Sequence, residues 1–295
     1  MKKREFTGVM TAIVTPFNQQ GKFDPKTMGE LIAFQIGEGV DGIVPCGSTG
    51  ESATLNHQEH QEVIEFAIKA AGGRVKVIAG TGSNSTDEAV ALTQFAEKAG
   101  ADAALLTTPY YNKPTQEGLF RHYKEIHEKT RIPLILYNIP GRTGVNMLPE
   151  TVGRLAGLER IVAIKEASGS LVQMMEIIRL CGDQITLLSG DDGLTLPVLA
   201  IGGKGVISVT SNILPKALKL LVDSFNRGDI AKAREIHYQY LPLHDSMFIE
   251  TNPIPVKGAL SLMGRCPNTL RLPLTPLSEA NQEKLKKVLK EYRLI

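Results

Sequence analysis

Ile161-Val162-Ala163-Ile164-Lys165-Glu166-Ala167-Ser168-Gly169 is the stretch on which the fold reading turns. A short β-type apolar run ends in a charged pair and then a small-residue turn, the pattern of a strand that leads into a loop. The ammonium at its end is a candidate Schiff-base nucleophile. Desolvation disfavours the charged form and lowers its pKa, so free amine becomes available near neutral pH to attack a carbonyl carbon. The plain alternative is a strand-end lysine that snorkels its charge into solvent.

Working outward, similar runs recur at residues 8–14, 42–45, 75–79 and 103–107 before this one. Residues 134–137, 185–188 and 205–209 complete a set of eight. Between them lie segments of helical periodicity, such as Glu59-Val63-Ile64-Ala67-Ile68 and Ala89-Leu92-Thr93-Ala96, with Asn56 and Ser85 as N-caps. Eight β-then-α units predict a closed parallel β/α (TIM) barrel. An open doubly wound sheet competes, but it favours Gly-x-Gly-x-x-Gly after its first strand, where this chain has Thr15-Pro16-Phe17-Asn18. After about residue 212 helical patterns dominate, at 215–227, 230–240, 253–263 and 279–292, with residues 272–276 as a connector. The expected organisation is a catalytic barrel at 1–225 and a C-terminal helical region at 226–295.

With 295 residues, 42% hydrophobic and 22% charged, the chain can bury one large core. A formal net charge of +2 and no basic run beyond residues 1–4 leave no electrostatic footprint for nucleic acid. Cys46, Cys181 and Cys266 are odd in number and far apart, which argues for a reducing compartment. The basic start faintly resembles a secretory leader, but Glu5 and the threonines interrupt it and Pro16-Phe17 replaces a cleavage site. No apolar stretch approaches the ~18 to 20 residues of a membrane span. A cytoplasmic protein acting on small molecules is expected.

In such a barrel the reacting groups sit at the carboxyl ends of the strands. The unusual residues fall there: Gly47-Ser48-Thr49-Gly50-Glu51, Gly80-Thr81-Gly82-Ser83-Asn84, Thr108-Pro109-Tyr110-Tyr111, Tyr137-Asn138-Ile139-Pro140-Gly141-Arg142-Thr143-Gly144, Lys165-Glu166 and Ser189-Gly190-Asp191-Asp192. The 47–50 turn offers backbone N–H groups and two hydroxyls to a carboxylate without a countercharge. It has neither the ending of a phosphate-binding P-loop nor a nucleophile elbow. Tyr137 ends the strand next to that of Lys165, where its phenol could reach the same substrate and shuttle protons; the plain alternative is a half-buried tyrosine with a satisfied hydroxyl. Tyr110 and Tyr111 point opposite ways on an extended loop, so one is exposed or at an interface. Arg142 offers a planar fork for a carboxylate, or is a solvated loop cation. His57-Gln58-Glu59-His60 fits neither zincin spacing, so no catalytic metal is expected.

Gly47-Ser48-Thr49-Gly50-Glu51, Tyr137-Asn138-Ile139-Pro140, Ile164-Lys165-Glu166 and Gly205-Val206-Ile207-Ser208 together resemble the dihydrodipicolinate synthase and N-acetylneuraminate lyase family. The likeness covers essentially the whole chain. Thr108-Pro109-Tyr110-Tyr111, the continuation to Gly144 and Asn252-Pro253-Ile254-Pro255-Val256-Lys257 look like its synthase branch. The resemblance implies an imine between Lys165 and pyruvate, whose enamine attacks L-aspartate 4-semialdehyde, with ring closure releasing the lysine. It implies no cofactor beyond that covalent imine. Ser48 and Thr49 would hold the pyruvate carboxylate. Tyr137, Ser48 and Tyr111 of a neighbouring subunit would relay protons, Arg142 would receive the semialdehyde carboxylate, and Gly190 and Ile207 would line the pocket through backbone groups. Synthases more often carry threonine at the position of Ser48; serine keeps the hydroxyl and loses the methyl that restricts its rotamer.

The resemblance further implies feedback by lysine at a dimer interface, on Ser52, Ala53, His57, His60, Asn84, Glu88 and Tyr110, and a homo-oligomer built as a pair of dimers. Read without it, His57 and His60 are surface residues at a helix start. Two rival functions stand beside the synthase. A Schiff-base lyase of N-acetylneuraminate or 2-keto-3-deoxy sugar acids would keep the lysine, tyrosine and turn but gain nothing from Arg142. A catalytically silent barrel sensing small acids would form no covalent adduct with pyruvate.

Overall fold

The computed structural model describes residues 6–295; the basic start at residues 1–4 lies outside the described residues, as does Glu5. Eight parallel strands close into a barrel in chain order: β1 Gly8–Thr11, β2 Gly42–Ile43, β3 Lys76–Gly80, β4 Ala103–Thr107, β5 Leu134–Asn138, β6 Ile161–Glu166, β7 Thr186–Ser189 and β8 Gly205–Ser208. β8 closes on β1 in register from Gly8↔Gly205 to Thr11↔Ser208. The open-sheet alternative is therefore excluded, and the TIM-barrel reading holds.

Strand ends differ from the sequence reading for identifiable reasons. β1 stops at Thr11 rather than residue 14, although Ala12 N–H still donates to Ser208 O at 2.9 Å and Ile13 N–H to Val44 O at 3.2 Å. Val14 N–H then turns to the Asn212 side chain, ahead of Pro16, which has no N–H to offer. β6, by contrast, runs on through Lys165 and Glu166. The lysine thus lies inside a strand.

Inside the barrel, Met10, Val44, Ile78, Leu105, Ile135, Tyr137, Ala163, Leu188 and Ile207 pack together. Alternation along β6 points Ala163 and Lys165 to this interior, while Ile164 joins the outer layer with Leu136, Met174 and Ile177. Asn56 caps helix His57–Ala71 with a full capping box, its side chain accepting from Glu59 N–H at 2.9 Å. Ser85 occupies the N-cap position of helix Thr86–Ala99 but makes no side-chain capping bond.

Beyond β8 come helices Pro215–Asn226, Ile230–Ser246, Ile254–Leu262 and Glu279–Glu291. The second of them continues six residues past the expected end at 240, through Pro242. Proline's fixed φ is helical, and its cost is one backbone bond and local crowding, here outweighed by burial of Leu243 and Met247. Leu243, Val256, Leu260, Leu285 and Leu289 share one apolar cluster with Val9, Ile13 and Val63 of the barrel. The late helices are thereby fixed against the barrel. Among the described residues no helix is long and apolar enough to cross a membrane.

Candidate active site

Tyr137 and Lys165 are direct partners in the β5–β6 register. Both side chains enter the barrel mouth, and the lysine Nζ lies 4.3 Å from the centroid of the tyrosine ring. Lys165 is only 5% exposed. Burial pulls its pKa down to about 8, with Arg142 adding to the fall and Asp192 opposing it. At pH 7 about a tenth of such a group is free amine, against about three in ten thousand for an ordinary lysine. Burial raises the Tyr137 phenol to about 12, so it remains a proton donor; Arg142 and the Ser48 side chain work the other way.

The turn after β2 is held between two left-handed non-glycine residues, Cys46 at φ 56° and Glu51 at φ 53°. Such conformations cost about 1–3 kcal/mol each and persist only where neighbours impose them. Glu51 is imposed upon: its carboxylate takes Lys257 Nζ at 2.5 Å and Arg271 N–H at 3.1 Å. At Gly50 a Cβ would come within 3.0 Å of Cys46 N and 3.2 Å of Thr15 Oγ1, so glycine keeps the turn tight. The N–H groups of Gly50, Glu51 and Ser52 close the turn on Gly47 O and Ser48 O. Those of Gly47, Ser48 and Thr49 donate to no described group of the chain, which suits them to an anion.

Arg142 sits in the short helix Pro140–Thr143 after β5 and donates from Nη2 to Asn252 O at 2.8 Å. Asn252 also reaches the turn, its Nδ2 lying 3.0 Å from Thr49 Oγ1. The sequence offered Asn252 only as part of a branch motif. Gly190 sits against the lysine: a Cβ there would stand 2.7 Å from Ala167 Cβ and 3.2 Å from Lys165 Cε. Its N–H is taken by Glu166 O at 2.8 Å, leaving the carbonyl as its backbone offer. Ile207 is fully buried in β8. Asp192, read only as a rim residue, is buried and accepts from Val209 N–H, Thr210 N–H and the Thr210 hydroxyl at 2.9–3.1 Å.

A cavity of about 450 Å³ has Ser48, Arg142 and Asn252 in its wall together with Ser52, Ala53, His57, His60, Glu88 and Tyr110. Asn84 is the expected effector residue outside that wall; its carbonyl accepts from Asn112 Nδ2 at 2.8 Å. His60 is not a surface residue. One turn into its helix it points inward, with Nε2 2.7 Å from Gly80 O, and burial lowers its pKa. Glu88 already accepts from Ser83 Oγ and pairs with His57 Nε2 at 3.3 Å. Tyr111 is 89% exposed at φ 71°, so within one protomer it joins none of the other site residues. Among the described residues no group of three or more His, Cys, Asp or Glu is placed to hold a metal.

Fold and site define a β/α-barrel enzyme whose candidate nucleophile is a buried lysine on the sixth strand. The family model described as the dihydrodipicolinate synthetase family matches residues 5–292, and the chain belongs to that family. It is 61% identical over 290 residues to the 4-hydroxy-tetrahydrodipicolinate synthase of Thermodesulfovibrio yellowstonii, covering 98% of this chain and 99% of the relative. It superposes with TM-score 0.97 on the chloride-inhibited dihydrodipicolinate synthase of Acinetobacter baumannii complexed with pyruvate, at 45% identity over 99% of this chain and 100% of that one. The Cyanidioschyzon merolae enzyme with lysine bound superposes with TM-score 0.95, at 42% identity over 98% and 99% of the two chains.

Proposed function

We propose that the protein condenses pyruvate with L-aspartate 4-semialdehyde to 4-hydroxy-tetrahydrodipicolinate, with Lys165 as the covalent centre. The observation that carries this reading is the Lys165–Tyr137 pair: a lysine lowered to about 8 by burial, in register with a buried phenol and 4.3 Å from its ring centroid. Free amine attacks the pyruvate carbonyl carbon, and loss of water leaves an imine. The protonated imine nitrogen is the electron sink, so no other cofactor is needed. A methyl proton leaves to give the enamine, whose terminal carbon attacks the aldehyde. The new alkoxide takes a proton through Tyr137 and Ser48, and the substrate amine then adds to the imine carbon and expels Lys165.

Ser48 and Thr49 hold the pyruvate carboxylate on the free N–H groups of the turn, and the guanidinium of Arg142, in the cavity wall, receives the second carboxylate. That second carboxylate favours the semialdehyde over a polyhydroxy sugar acid. Gly190 and Ile207 complete the pocket wall. The exposed Tyr111 supports a relay completed by a second subunit, hence a dimer and, by pairing, a tetramer acting in the cytoplasm. Lysine as effector fits the cavity wall of Ser52, Ala53, His57, His60, Glu88 and Tyr110, with Asn84 nearby in sequence; there it would displace His57 from Glu88.

The test is mass spectrometry of the purified protein with both substrates, and separately with pyruvate and borohydride. Cyclised product together with a reduced pyruvyl adduct on Lys165 is expected. An adduct without product moves the assignment to a sugar-acid lyase. No adduct leaves a silent barrel, and a flat lysine titration of the rate removes the effector site.

A further inference from the structure

We propose that Asn252 is a positioning residue that sets the direction of the Thr49 hydroxyl, an inference that rests on the reading of Thr49 as a pyruvate ligand. Asn252 is buried just ahead of helix Ile254–Leu262 and bridges two substrate-binding groups at once. Its backbone carbonyl takes Arg142 Nη2 at 2.8 Å, and its side-chain Nδ2 lies 3.0 Å from Thr49 Oγ1. An amide N–H can only donate, so the threonine oxygen is the acceptor in that bond. Its own proton is therefore left to be given elsewhere. Thr49 Oγ1 has no other partner among the described residues, and the turn beneath it carries free N–H groups. The hydroxyl proton thus joins the donors available to an anion.

The amide orientation is assigned by what each arrangement would leave unpaired. Asn252 Oδ1 is buried and accepts from no described group. Reversing the amide would put two N–H donors in that place, and would make Thr49 spend its proton on the carbonyl. As it stands one N–H and the side-chain carbonyl oxygen lack partners; reversed, both N–H groups would, and an under-used acceptor is the cheaper of the two. Asparagine is thereby distinguished from aspartate, which has its shape but can only accept when ionised.

The experiment compares wild type with Asn252→Asp and Asn252→Ala in KM for each substrate, kcat, melting temperature and borohydride-trapped pyruvate adduct. Aspartate turns the Thr49 proton away from the substrate and places a charge beside the turn, so pyruvate KM is expected to rise about tenfold or more. Alanine frees the hydroxyl without reversing it, and its effect on pyruvate KM is expected to be smaller. Both variants keep the backbone carbonyl on Arg142, so semialdehyde KM is expected to move much less than pyruvate KM. A merely structural role gives the reverse order, with alanine worse than aspartate in stability and KM together; that result overturns the proposal. So does an aspartate variant with wild-type pyruvate KM while the wild type forms the adduct. A wild type that forms no adduct overturns the functional reading as well as this one.

Discussion

The mouth of β6 and the junction between the 47–51 turn and helix Ile254–Leu262 each bury a lysine, and they partner it differently. Lys257 is 0% exposed; its ammonium is 2.5 Å from Glu51 Oε1, 2.7 Å from Thr269 O and 4.3 Å from the Phe17 ring centroid. The same carboxylate holds Arg271 N–H, and the Arg271 guanidinium forks onto Glu59 at 2.6 and 2.8 Å. Lys165 has comparable burial but no carboxylate within ion-pair distance among the described residues, only a phenol ring and the more remote field of Asp192. Burial lowers both pKa values, but at Lys257 the adjacent Glu51 carboxylate pulls the other way, whereas at Lys165 the opposing pull comes only from the more remote Asp192, which makes Lys165 the candidate nucleophile of the two.

The comparison breaks most sharply on chemistry. Lys165→Met is expected to abolish the borohydride-trapped adduct and lower turnover by at least about 10³-fold, as removal of a covalent nucleophile does elsewhere. Lys257→Met is expected to leave trapping at Lys165 intact in whatever fraction is folded. An adduct found on Lys257 by peptide mass mapping would collapse the distinction.

Stability should separate the two next. Removing Lys257 leaves Glu51 buried without its ion-pair partner, expected to cost about 3–5 kcal/mol in denaturant unfolding. Little or no cost would show that Glu51 does not depend on it.

Removing Lys165 should do the opposite. Its folded pKa lies below the unfolded value of about 10.4, so the unfolded chain binds the extra proton and stability rises with pH across that window. The penalty is fully present below about pH 8 and fades towards pH 10. Lys165→Met is accordingly expected to stabilise the fold by up to about 3 kcal/mol at pH 7, less any packing loss, with the gain shrinking above pH 8. A pH-independent difference would mean that the amine is not perturbed.

Gly190→Ala is the gentlest probe. The added methyl crowds Ala167 and Lys165 Cε, so a loss of about 1–3 kcal/mol in stability is expected, with slower adduct formation at unchanged Lys165 identity.

Much of this architecture is legible in one dimension. A strand inside a parallel barrel is covered on both faces, so it reads as a short apolar run, and eight such runs at helix-length spacing leave few ways to close. Lys165 and the Gly47–Gly50 turn are legible because charge and small residues are out of place beside such runs. Pro242 misleads, since a local rule against proline in helices is overridden by tertiary burial. His60 misleads too, because the inward face of its helix meets the Gly80 carbonyl only in the fold.

The sequence by itself determined the barrel, through the period of its apolar runs, and the presence of a lysine, a tyrosine and an anion-suited turn on one rim. Only the tertiary structure decided which buried lysine stays without a counter-ion, and which residue binds the turn to Arg142. Glu51 meets Lys257 across 206 positions, and Asn252 meets Thr49 across 203. A pKa or a hydroxyl direction depends on everything within a few ångströms in space, and no pattern of neighbours along the chain records those distances.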